Sequence, residues 1–280
     1  MSSNKKEGVL KYATIAIVFL ALYLLAAKIG LSLAFFNKSA SPMWPPAGIA
    51  VAALIILGYK YWPSVFVGAF IINFIATPQV PVSLGIALGN TLEAFLGAYL
   101  INRFAGNRVF ENIKNTRRFF IIGFIAPLAS SIIGVVSLAS GGFLSPGTSM
   151  LVWFTWWIGD VVGILFFVPI IIVFHSGPMV PIEKDRYLEL FLSFLVVVLL
   201  SAILFFGWPI GFPREIHLVY LALPILLIIA LRFCVRVAMV ATFVMSSFAV
   251  LGTVVEKALF NVGAINSALI FVQLFVITKL

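Results

Sequence analysis

Residues 150–174 read MLVWFTWWIGDVVGILFFVPIIIVF, an apolar run whose one charged residue, Asp160, stands near its middle. At about 1.5 Å per residue the run is about 37 Å long as a helix, enough to cross a hydrocarbon layer of about 30 Å. It is apolar on every side, so no face is left for water, and a helix of that kind belongs in lipid or deep inside protein. Runs of similar character recur near 10–29, 43–58, 61–77, 82–101, 119–139, 187–207, 217–231, 236–255 and 262–279. The composition agrees: 63% of residues are hydrophobic and 10% charged, with a mean hydropathy of +1.19. A water-soluble domain of this length has no interior large enough to hide that surface. The short alternating segments of a membrane barrel are absent from the sequence. The expected fold is therefore all-α, a polytopic membrane bundle of eight to ten helices forming a single domain over residues 1–280. Ten is the count the runs give. The second and third are short and separated only by Gly58-Tyr59-Lys60-Tyr61, so a re-entrant hairpin and a count of eight compete with it.

Basic residues orient the bundle, because Lys and Arg accumulate on the cytoplasmic side of spanning helices. With ten spans and a cytoplasmic N-terminus, the inner set is Lys5, Lys6, Lys11, Lys60, Arg103, Arg108, Lys114, Arg117, Arg118, Lys184, Arg186, Arg232, Arg236 and Lys279. That is fourteen of the 18 basic residues, leaving Lys28, Lys38, Arg214 and Lys257 outside. Both ends are expected in the cytoplasm, and the location is the cell inner (plasma) membrane, crossed many times. The first run is too long for a cleaved signal peptide and lacks a small-residue cleavage site. The formal net charge of +9 thus reads as topology, since the charges are scattered over short loops and form no solvated face for nucleic acid. The longest polar stretch, 102–118, reads as a basic inner loop against anionic headgroups or as a plain topology determinant. Cys234 is the chain's one cysteine, so neither an internal disulfide nor a zinc cluster is available. His175 and His217 are far apart and near interfaces, which leaves no metal pair. The sequence names no cofactor.

Two acids lie deep in the runs, Glu93 and Asp160, each about ten residues and so about 15 Å from the nearest interface. A carboxylate at that depth is costly and faces protein or trapped water. Gly85, Gly89, Glu93 and Gly97 are spaced four apart and share one helix face, where glycine lets another helix come close. Asn90 extends the polar patch. Around Asp160, helical spacing brings Trp153, Trp156 and Trp157 onto or beside its face, between Gly159 and Gly163. A carboxylate beside indole rings suits a small cation or a polar organic ligand. Inter-helix hydrogen bonding is the plainer role for both acids, and the residues alone favour neither reading. In Ser41-Pro-Met-Trp44-Pro-Pro-Ala-Gly48, the two prolines fit a first helical turn, whose N–H groups are unused. Trp44 is then either a helix start facing the outer headgroups or the wall of an outward pocket. Asn73 and the prolines Pro127, Pro169 and Pro224 also fall within spans, the prolines as kinks.

These stretches occur in an order that resembles a known family. Trp44-Pro-Pro-Ala-Gly-Ile, Gly58-Tyr-Lys-Tyr-Trp62-Pro63, Gly68 and Asn73 are similar to the opening of the bacterial membrane-associated sensor domain (MASE), first type. Asn90-Thr-Leu-Glu93, the run from Trp153 to Pro169, and Leu223-Pro224 leading to Ala230-Leu-Arg232-Phe233 continue the likeness over nearly the whole chain. Trp44, Glu93, Trp157, Asp160 and Arg232 match positions that the family pattern features. The resemblance implies a sensory module of about eight to ten helices that precedes histidine kinases, diguanylate cyclases or cyclic-di-GMP phosphodiesterases. It supplies no ligand. The sequence stops at Leu280, where a signalling helix would leave the membrane, so the output partner is expected either fused in a longer protein or separate.

The leading expectation is a sensory input domain for two-component or cyclic-di-GMP signalling. A small ligand, an ion or a membrane condition would shift two packings and move the last helix. Its candidate ligand-binding residues are Trp44, Asn73, Asn90, Glu93, Trp153, Trp156, Trp157, Asp160 and Arg232. Arg232 is either an inner partner of that set or an interface anchor reaching lipid phosphate. Gly85, Gly89, Gly97, Gly159 and Gly163 are assigned to helix packing. The competing expectation is a secondary transporter or substrate-binding membrane component using mid-membrane carboxylates. No convincing internal repeat supports it. An enzyme is not expected, since no Ser-His-Asp set, HExxH, P-loop or Cys-His pair is present. The partners would be membrane lipids, the cytoplasmic signalling domain and a second copy of the chain, with no nucleic acid.

Overall fold

The computed structural model describes residues 2–32, 41, 43–106, 109–110, 112–176, 182–206 and 222–254. Among them every regular element is helical: α1 (Ser2–Leu31), α2 (Pro45–Leu57), α3 (Trp62–Ala76), α4 (Val80–Leu100), α5 (Ile113–Ile125), α6 (Pro127–Ser140), α7 (Ser149–Ser176), α8 (Tyr187–Phe206), α9 (Ala222–Arg232) and α10 (Val235–Val254). The fold class is all-α, as the apolar runs require. Five stretches are long and apolar enough to cross a membrane: Lys6–Leu31, Val80–Ala105, Ile113–Ser140, Ser149–His175 and Lys184–Phe206. The tenth expected run, 262–279, and the first residues of the eighth lie outside the described residues. So do Lys38, Arg108, Arg214, Lys257 and Lys279, five of the eighteen charges used for orientation.

Three expected spans take a different form. Residues 119–139 belong to a bent unit, α5 and α6, which meet at Ala126. Pro127 has no N–H to donate and begins a new helix, while the Ala126 amide still closes on the Ile122 carbonyl at 2.9 Å. The second and third runs become α2 and α3, of 13 and 15 residues, about 20 and 22 Å long. The corner between them is a single 3-10 turn, Tyr59–Tyr61, entered through Gly58 at φ 95°. Glycine adopts that backbone without the clash a Cβ would bring. α1 is tied to this corner. The Tyr12 hydroxyl donates to the Lys60 carbonyl at 3.0 Å, its ring stacks on Tyr61, and the Ser64 hydroxyl donates to the Ala16 carbonyl.

The chain divides into two compact units, Met1–Ile171 and Ile172–Leu280. In the first, α4 is central and packs on α2, α3 and α6. Its glycine face is why. A Cβ at Gly85 would lie 2.2 Å from the Ser137 hydroxyl, one at Gly89 3.3 Å from Ser130 Cα, and one at Gly97 2.9 Å from Val51. Small residues admit neighbours this closely in lipid, where no hydrophobic effect drives helices together. The outward faces carry large apolar side chains, Ile17, Leu25 and Ile29 on α1 and Leu88 on α4 among them, as lipid contact demands. In the second unit α8, α9 and α10 pack on one another, with Gly252 against the Phe205 carbonyl.

Candidate functional site

The start of α2 is pressed onto the middle of α7 by backbone contact. The Trp44 amide donates to the Gly159 carbonyl at 3.0 Å, using the second lone pair of an oxygen inside a helix. Pro45 and Pro46 follow as the first helical residues, so the turn needs no donors of its own. A Cβ at Gly163 would lie 2.1 Å from the Trp44 carbonyl oxygen, and one at Gly48 2.1 Å from the Gly163 carbonyl oxygen. No side chain survives at either place without displacing main chain. The Trp-Pro-Pro-Ala-Gly stretch and the Gly-Asp-Val-Val-Gly stretch are therefore two halves of one contact. Trp44 itself is buried, with its ring against Gly30 of α1. The outer-headgroup orientation weighed for it from sequence does not hold, because the ring is taken up between α1 and the site.

This contact holds Asp160 against α4 and α6. Asp160 is 0% exposed and Glu93, from α4, 1%. The two carboxyl groups come together. The Ser130 hydroxyl of α6 donates a short hydrogen bond to Asp160 Oδ2. Glu93 lies beside both, yet neither of its oxygens closes a hydrogen bond, nor does Asp160 Oδ1. Tyr23 of α1, fully buried, lies within electrostatic range of both acids with its hydroxyl facing Trp44. Trp156, one turn before Asp160, faces it and packs on Gly134, Val82, Ile86 and Leu138. Among the described residues no Lys or Arg pairs with either acid. Buried charge without a counter-charge is expensive.

The remaining candidates fall elsewhere. Trp153 and Trp157 are half-buried and stack on each other, 5.9 Å between ring centres and 1° between planes. Trp157 Nε1 donates to the Phe124 carbonyl at 3.0 Å, tying α7 to α5. Asn90 donates to the Ile86 carbonyl and leaves its own Oδ1 unpartnered. Asn73 donates to the Ala69 carbonyl, and its backbone carbonyl receives the Thr77 amide and hydroxyl where α3 ends. Arg232 belongs to the second unit, where its Nε donates to Glu189 Oε1 at 2.7 Å. Sequence reasoning missed Tyr23 and Ser130. The signal for Ser130 is the polar pair Ser130-Ser131 inside an apolar run, whereas nothing about Tyr23 distinguishes it from a lipid-facing aromatic.

The family model MASE1 matches residues 15–279, and the chain belongs to that family. MASE1 is a membrane-associated sensory domain, and helices long and apolar enough to cross a membrane agree with that class. No curated protein and no solved structure matches the chain.

Proposed function

We propose that this chain is the input domain of a signalling protein of the inner membrane, with both ends in the cytoplasm. Its stimulus acts at the Glu93–Asp160 pair and passes through the C-terminal helix to a histidine kinase, diguanylate cyclase or phosphodiesterase, fused or separate. One observation carries the reading: two buried carboxyl groups face each other with a single hydrogen bond between four oxygens. A site like that has two packings of different charge, and an occupant that prefers one of them shifts the balance. α4, α6 and α7 meet there, so a change in the pair moves the center of the first unit. Fusion of the full chain to a diguanylate cyclase tests this. Glu93→Gln and Asp160→Asn should insert normally and lose the response, whereas full response in both variants refutes it.

The same paired carboxylates favour a second reading, a secondary transporter, since such sites lie at the midplane between broken helices. Solute accumulation in liposomes, abolished by Asp160→Asn, would establish it.

A further inference from the structure

Building on the sensory reading, we propose that Glu93 and Asp160 form a binding site for one small monovalent metal cation of the sodium type. The donors are oxygen only. Glu93 Oε1 and Oε2 and Asp160 Oδ1 are buried and unpartnered, and the Ser130 oxygen, which donates to Asp160, keeps lone pairs to offer. Hard oxygens select alkali and alkaline-earth ions, while transition metals favour imidazole or thiolate. Among the described residues no three of His, Cys, Asp and Glu come together.

Size narrows the class. α2 and α7 touch backbone to backbone at Gly48 and Gly163, and Trp44, Tyr23 and Trp156 fill the space around the acids. Both acids are closed off from solvent, at 0% and 1% exposure, so their occupant is small. A calcium ion takes about six to eight oxygens and magnesium retains several waters, more than this closely packed pair supplies. Aromatic rings around the site favour a cation over an anion. The ion also joins α4 to α7. With one of the two carboxyl groups protonated the ion balances the charge of the other, and its departure leaves that carboxylate buried without a counter-charge, which loosens the contact.

The test is the melting temperature of the purified full chain at fixed pH. NaCl is titrated against choline chloride at constant ionic strength. The expected result is a saturable rise with NaCl that choline does not reproduce. The half-effect concentration should increase roughly tenfold or more in Glu93→Gln and Asp160→Asn, and stay at the wild-type value in Glu189→Gln. Should the two site variants fail to fold, radioactive sodium binding by wild type and Ser130→Ala decides, with weaker binding by Ser130→Ala expected. Superimposable NaCl and choline curves overturn the proposal. So does a response to pH alone, which would make the occupant a proton. The cyclase fusion separates the two readings. Loss of response in both variants without sodium binding removes only the ion. Sodium binding with an unaltered response removes the sensory role and leaves the ion site standing.

Discussion

Glu189 in the second unit and the Glu93–Asp160 pair in the first are acids with opposite surroundings. Glu189 accepts from Arg232 at 2.7 Å and from Arg186 at 3.3 Å, and the Arg186 guanidinium also donates to the Arg232 carbonyl and lies over the Phe233 ring. Every demand of that carboxylate is met by the chain itself, at a helix end with partial access to solvent. Glu93 and Asp160 have each other, one serine and three aromatic rings. A saturated acid holds structure in place, and an unsaturated one is held in place by structure. The contrast locates function better than depth or charge alone, because both settings contain carboxylates in apolar helices.

The largest expected effect comes from breaking the frame that holds the pair. Gly163→Val or Gly48→Val drives a side chain into main-chain carbonyl oxygen. Overpacking costs about 1–3 kcal/mol where neighbours yield, and backbone does not yield. Either variant should fail to give a monodisperse, cooperatively melting protein in detergent. A normal melting curve for Gly163→Val would show that α2 and α7 are not pressed together as described. Nothing comparable surrounds Glu189.

Next in size is the neutralised pair, Glu93→Gln with Asp160→Asn. Turning two buried acids without a counter-charge into amides of the same shape removes their mutual repulsion and the cost of burying charge. In sodium-free buffer the double variant should melt at or above the wild-type temperature while losing its response. Glu189→Gln should instead keep the response. A double variant that melts lower than wild type would mean that the pair is a structural tie, and the comparison would collapse.

Much of this architecture was legible beforehand. The runs 82–101, 150–174, 187–207 and 236–255 correspond to α4, α7, α8 and α10 with described ends displaced by a few residues, because a long apolar run has few alternatives to a helix in lipid. The glycine face of α4 was equally readable, since spacing of four fixes a face whatever the fold. Spacing does not say which helix arrives there. That Ser137, Ser130 and Val51 are the neighbours of Gly85, Gly89 and Gly97 depends on the order of helices in space. The meeting of Glu93 with Asp160 was hidden for the same reason. The indole cluster misled in part: Trp156 faces the acid from one turn away, while Trp153 lies two turns, about 10 Å, along the axis and Trp157 about 60° round the helix, and these two stack on each other, with Trp157 bonded to α5.

Ser130→Ala sharpens the contrast at smaller scale, by removing the one donor to the pair and leaving Asp160 with no hydrogen bond among the residues around it. A hydrogen bond to a charged group contributes about 1.5–3 kcal/mol, so the melting temperature should fall measurably and recover in Ser130→Thr, which keeps the hydroxyl. Equal melting of Ser130→Ala and wild type would show that Asp160 is satisfied from another direction.

The smallest effect belongs to Arg232. Its side chain is 62% exposed, and exposed ion pairs contribute little once water and salt screen them. Arg186 remains on Glu189 when Arg232 is shortened, so the carboxylate keeps a partner. Arg232→Gln should therefore leave the melting curve where wild type has it at physiological salt, and any shift at low salt should vanish as salt is added. The sodium titration should be unchanged as well, because Arg232 supplies no oxygen and contacts Glu189. A sodium midpoint that moved with Arg232→Gln would show that the Arg232–Glu189 ion pair bears on the acid pair, and the contrast drawn between them would fail.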